Sequence, residues 1–171
     1  MNSFKPSKPI KAIPNIKEIL NKQLILSKSL TQSEADKLKL ANSNYESEED
    51  NFLPKQWFCS IDIGDWEEVE IFVQGDTEYP SEEFLELAGE IFSQLPQHIN
   101  RALNYLKIFF PAHEIEDYYL ANISFGRIIN FDDHLFSGFT VAFYSERPHE
   151  FQYKVKLKKD GWPIGFEGGP L

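Results

Sequence analysis

The sequence predicts an α+β fold: an antiparallel sheet of about five strands, in the order β-β-α-α-β-β-β, packed on two helices behind a short helical N-terminal arm. Three observations carry this expectation. Runs with a two-residue hydrophobic period fall into two groups, separated by a pair of runs with the 3.6-residue helical period. Grouped rather than alternating β and α segments favour a segregated, antiparallel sheet. Finally, 171 residues with 42% hydrophobic side chains and fifteen Phe suffice for one core without crosslinks.

Residues 1–56 read as a basic N-terminal arm with one or two short helices and an acidic linker. Pro14 stands near the first turn of an apolar pattern at Ile16, Ile19 and Leu20. Thr31 and Glu34 have the spacing of a capping box for a second helix through Leu38 and Leu40. Glu46–Asp50 supplies the acidic linker.

The globular domain is read as 57–171. Trp57, Cys59, Ile61 and Ile63 alternate with Phe58, Ser60 and Asp62, which is the period of a strand with one buried face. Gly64-Asp65 turns the chain, and Val69, Ile71 and Val73 then alternate with Glu68, Glu70 and Gln74. The two runs predict a hairpin with an acidic outer face. Ser81, followed by Glu82 and Glu83, marks a helix start with carboxylates at the positive end of its dipole. Phe84, Leu87, Ala88 and Ile91 share one face of that helix. Pro96 opens a second helix with Ile99, Ala102, Leu103, Leu106 and Phe110 on one stripe, and Pro111 stops it.

Three further strands follow, around Ile123 and Phe125, around Phe139, Val141 and Phe143, and from Phe151 to Leu157. Asp160-Gly161 turns the last one, and the Gly/Pro-rich end reads as a coil. Lys154, Lys156 and Lys158 lie on its outer face with Lys159 beyond them, where lysines guard an edge strand or pair with acidic neighbours.

Charge is unevenly spread. Between Tyr45 and Glu90 stand fifteen Asp/Glu against Lys55 alone, a formal charge of −14 in a protein of −10. Such a surface repels nucleic acid and anionic lipid and attracts a basic partner. The single cysteine, Cys59, points to a reducing compartment. The N-terminus lacks the apolar core of a secretory signal, and no apolar run approaches a membrane span. The expectation is a soluble cytoplasmic protein with no nucleic-acid or membrane partner.

Catalytic signatures are weak. His98, His113, His134 and His149 have no zinc-helix spacing, and there is no CxxC. Asp132-Asp133-His134 is the densest cluster of possible ligands, but adjacent turn residues point apart, and a solvated loop explains it. Cys59 falls on an inward strand face with no His nearby in sequence. Gly165-x-x-Gly168-Gly169 has no helix after it to bind phosphate. No catalytic residue, cofactor or metal is assigned.

The acidic segment divides by role. Glu82 and Glu83 serve the helix start. The part around the hairpin is the candidate partner-binding surface: Asp62, Asp65, Trp66, Glu67, Glu68, Glu70, Phe72, Asp76 and Glu78. Carboxylates steer and pair with Lys/Arg, and exposed aromatics among them supply buried area.

Trp57…Val69-Glu70-Ile71-Phe72-Val73, then Tyr79-Pro80-Ser81-Glu82-Glu83…Leu95-Pro96…Ala102-Leu103-Asn104-Tyr105-Leu106, then Lys159-Asp160-Gly161-Trp162-Pro163, resembles the small bacterial α+β immunity-protein-like domains of polymorphic and contact-dependent toxin systems. The likeness spans about 57–163. It implies no active site and a dedicated protein partner: an inhibitor that neutralises a cognate, basic toxin domain. The alternatives are an enzyme with a carboxylate/His cleft, and an adaptor or scaffold protein.

Overall fold

The computed structural model describes residues 12–13, 15–26, 55–112, 118–129, 134–145 and 150–170. Among them the elements run α1 (Ile16–Gln23), β1 (Ile25–Leu26), β2 (Lys55–Ile63), β3 (Trp66–Gly75), α2 (Glu82–Ser93), α3 (Leu95–Phe109), β4 (Tyr118–Ile129), β5 (Leu135–Ser145), β6 (Phe151–Lys158) and β7 (Pro163–Pro170). Among the described residues the sheet has seven strands in sequence order, β1 to β7.

This corrects the expected five-stranded antiparallel sheet on two helices. The sheet is mixed, because β3 and β4 pair in parallel while the other neighbours are antiparallel. The physical reason is the α2–α3 crossover. Two helices between β3 and β4 return the chain across one face of the sheet, so β4 enters beside β3 in the same direction. Two strands escape the sequence reading. β1 has only two residues, too few to show a period. β7 is the Gly/Pro-rich end, which folds back through a three-residue loop. Gly161 N–H donates to Lys158 O at 2.8 Å, Lys158 N–H to Trp162 O at 3.0 Å, and Gly161 takes φ 87°. Within β7, Gly168 lies beneath the rings of Phe151 and Tyr153, which cover the surface a side chain would occupy.

The helices lie on one face, over a core built from Val69, Ile71, Val73, Ile123, Phe125, Phe139, Val141, Phe143, Val155 and Leu157. α2 contributes Phe84, Leu87, Ala88, Ile91 and Phe92, and α3 contributes Leu95, Ile99, Ala102, Leu103 and Leu106. The helical stripes read from the periodicity are therefore the buried ones, with Phe110 packed at the margin. Ser81 is the cap residue of α2 but makes no side-chain capping hydrogen bond.

α1 belongs to this core. Ile16 and Leu20 are fully buried, Leu24 nearly so, and Ile13 N–H donates to Phe92 O at 3.0 Å. Lys17 pairs with both Glu82 and Glu86 across the α1–α2 contact. These bonds raise the Lys17 ammonium above its ordinary value, and Lys17 in turn lowers the Glu86 carboxyl. The second expected arm helix, the linker at Glu46–Asp50 and the Asp132-Asp133 pair lie outside the described residues, as do His113 and His149.

Candidate functional site

The acidic hairpin is built around a bulge. Ile63 pairs with Trp66 across the Gly64-Asp65 turn, and Ile61 pairs with Val69, so Asp62 faces two residues, Glu67 and Glu68. Gly64 takes φ 59° and Glu68 takes φ 53°, a left-handed backbone that is uncommon outside glycine. The Asp62 carboxylate accepts the Glu68 backbone N–H at 3.0 Å and holds the bulge.

The bulge moves Trp66. A strand of strict period two would place it opposite Val69, on the outer face. The extra residue lets Trp66 and Val69 both point inward, and Trp66 is only 8% exposed. Trp66 is thus a core residue, and the exposed aromatic anchor expected at this position does not exist. The outward aromatics are Phe58 and Phe72, both half-buried on the sheet face opposite the helices, with ring centroids 6.2 Å apart. Ile25 pairs with Phe58 from β1 and is exposed. Ile25, Phe58 and Phe72 therefore form an apolar row across three strands. Beside it runs the row Ser60–Glu70–Asn122. The alternation of β2 already assigned Phe58 to the outward set, so its place in the surface was legible; Ile25 carried no signal.

The nine expected binding residues divide accordingly. Asp62, Glu67, Glu68 and Glu70 are exposed on the hairpin, with Asp65 half-buried at its turn. Phe72 joins the apolar row. Asp76 has a local structural role, accepting the backbone N–H groups of Glu78 and Tyr79 at 2.7 Å each, which lowers its carboxyl. Its carbonyl also accepts Trp57 Nε1–H at 2.9 Å. Glu78 is exposed beside Tyr79, an exposed ring that the sequence did not single out.

The charges at α2 are used differently. Glu82 and Glu86 pair with Lys17, and Glu83 pairs with Lys159 at 2.7 Å. By contrast, Glu67, Glu68 and Glu70 have no cationic partner among the described residues. Their negative charge faces solvent uncompensated.

Other candidate chemistry is structural in character. Burial pushes the Cys59 thiol up to about 11, so it is not a thiolate at neutral pH. His98 is buried under the β6–β7 loop, edge-on to Phe139 at 5.7 Å, with no partner at Nδ1. Burial, then the nearby Arg101, lowers its imidazole below the ordinary value. His134 is exposed, and among the described residues no group of three His, Cys, Asp or Glu is placed to hold a metal. A depression of about 510 Å³ lies between α1 and the β3–α2 loop, lined by Asn21, Gly75, Asp76, Tyr79 and Ser81 among others. Its lining has no histidine or cysteine. The lysine stripe does not guard an edge, because β7 covers β6. Lys156 instead reaches across β5 from β6, donating to Ile129 O at 2.5 Å and pairing with Glu167 at 2.7 Å.

No described helix is long and apolar enough to cross a membrane. Comparison with known protein families, with curated proteins and with solved structures gives no match.

Proposed function

We propose that this chain is a binding protein, an immunity-type inhibitor whose acidic hairpin docks on a basic protein toxin. One observation carries the reading: the fold pairs Glu82, Glu83 and Glu86 of α2 with Lys17 and Lys159 but leaves Glu67, Glu68 and Glu70 without a cationic partner among the described residues, exposed on the β2–β3 hairpin. Uncompensated like charges cost stability unless a partner neutralises them. The adjoining row of Ile25, Phe58 and Phe72 supplies apolar area for the centre of a contact, and the carboxylates supply its charged margin. Neutralisation would follow from covering the toxin's cationic substrate-binding surface.

The reading is tested by co-expressing this chain with the product of the adjacent reading frame. Formation of a stable complex and relief of growth arrest support it. Growth arrest that persists although both proteins are soluble and abundant counts against it.

A further inference from the structure

The depression of about 510 Å³ between α1 and the β3–α2 loop gathers polar groups around an exposed ring. The loop that forms one wall is pinned at several points. Asp76 N–H donates to Tyr79 O at 3.0 Å, and Ser81 N–H donates to Gln74 O at 2.9 Å. Asp76 Oδ1 accepts both Glu78 N–H and Tyr79 N–H, and Trp57 Nε1–H reaches the Asp76 carbonyl. Gly75 permits the close return, since a Cβ there would fall 2.3 Å from Tyr79 O. A loop held in this way fixes the Tyr79 backbone, yet leaves the ring 71% exposed at the depression.

Around the ring stand groups with unused bonding capacity. Both turn bonds of Asp76 end on Oδ1, so Oδ2 is open to a ligand. The same bonds lower the carboxyl, which stays charged at neutral pH. Ser81 holds the cap position of α2 without a side-chain capping bond, which leaves its hydroxyl for the depression. Glu82 meets Lys17 through Oε1, and Asn21 adds a side-chain amide from α1.

Charge and shape choose the ligand. The lining carries two carboxylates, Asp76 and Glu82, and among the described residues no lysine, arginine or histidine. Lys17 meets Glu82 and Glu86 as one charge against two, and Lys55, opposite Gly75 in the register, lies outside the lining. The N-terminal end of α2 would favour an anion, but Glu82 already stands there. A cation is therefore accepted and an anion repelled. A planar cation suits the site best, because a guanidinium can stack on a ring while its N–H fork meets a carboxylate.

We propose that this depression is a subsite for an arginine side chain, with the guanidinium against the Tyr79 ring and its N–H groups donating to Asp76 Oδ2 and the Ser81 hydroxyl. The subsite deepens the proposed docking on a basic protein and rests on it for the source of the arginine. Its own chemistry does not involve Glu67, Glu68 or Glu70.

The probe is N-acetyl-arginine amide, with the similarly shaped but neutral N-acetyl-citrulline amide as control, each titrated into the full chain and followed by backbone amide shifts. Saturable shifts centred on residues 75–85 are expected for the arginine compound, with an affinity at least about three-fold above that of the citrulline compound. Tyr79→Ala removes an exposed ring and should weaken binding about three-fold or more. Asp76→Asn keeps an Oδ1 for the turn, removes the charge, and should weaken binding at least as much. The hairpin variant Glu67→Lys/Glu68→Lys/Glu70→Lys should bind the probe as the parent does. Non-saturable shifts, shifts centred on the hairpin carboxylates, equal binding of the citrulline compound, or unchanged binding by Tyr79→Ala would each overturn the subsite. If the probe binds as expected while the hairpin variant associates with the partner as fast as wild type, the hairpin docking fails and the subsite stands.

Discussion

The side-chain amide of Gln74 pairs with the backbone of Arg127 as a strand residue would. Gln74 Nε2–H donates to Arg127 O at 3.0 Å, and Arg127 N–H donates to Gln74 Oε1 at 2.7 Å. The parallel register of β3 and β4 ends at Val73 and Phe125, so this amide extends the pairing beyond the last backbone partners. Gly126 makes room for it, since a Cβ there would collide with the Gln74 side chain.

Gln74→Ala removes this strand-like pairing from exposed Arg127 and is expected to cost about 0.5–1.5 kcal/mol. Gly126→Ala is expected to cost about 1–3 kcal/mol through overpacking. Because each change alters the other's surroundings, the double variant should lose less than the two single losses combined. Urea unfolding of the four proteins measures this directly; strict additivity would show that the two positions do not interact.

The N-terminal helix is expected to stabilise the whole fold rather than decorate it. Leu20 is fully buried in the common core. Leu20→Ala should cost about 2–5 kcal/mol, the range for cavity-forming substitutions. It should lower the midpoint of a single cooperative transition followed by tryptophan fluorescence. A loss below about 0.5 kcal/mol, the size of an ordinary surface change, would detach α1 from the core.

The bulge makes a backbone prediction. Glu68 holds φ 53°, where a β-branched residue is disfavoured and glycine is at ease. Glu68→Gly should leave stability within about 1 kcal/mol of the parent, while Glu68→Val should lower it by about 1–2 kcal/mol. Thermal denaturation of the pair gives the sign; equal midpoints would remove the bulge from the account.

The bulge also marks where the sequence stops being legible. The inward sets Val69, Ile71 and Val73 and Phe139, Val141 and Phe143 follow from period two alone, and all six are buried. The stripes of α2 and α3 follow from their period in the same way. Trp66 does not, because a single inserted residue reverses the face of everything on one side of it. β7 was hidden for another reason. Glycine and proline have low strand propensity, and Gly161 and the Phe151 and Tyr153 rings overrule it through contacts distant in sequence. At the candidate site, the exposed carboxylates were legible as charges. Which of them the fold neutralises was not, because Lys17 and Lys159 lie 65 and 76 residues from Glu82 and Glu83.

His98 gives the fold a pH dependence. Its neutral form is favoured when folded, by burial and by Arg101, so its imidazole lies below the ordinary 6.5. The unfolded chain then binds the proton more readily. Stability is complete above about pH 6.5 and declines as pH falls from there toward the folded value, below which this contribution is constant. Urea midpoints measured from pH 7.5 to 5 should show that decline, and His98→Leu should abolish it whatever its absolute stability. An unchanged slope in the variant would assign the effect to other groups.

In the proposed function, the uncompensated hairpin carboxylates recruit a basic partner. Its most direct test is the association rate constant with the product of the adjacent reading frame, measured by stopped flow at low and high salt. Wild type is compared with Glu67→Lys/Glu68→Lys/Glu70→Lys. Wild type is expected to associate rapidly, with a steep fall as salt rises, and the triple variant to be at least about ten-fold slower at low salt, with its salt dependence flattened or reversed. Equal rate constants and equal salt dependence for the two proteins would contradict it.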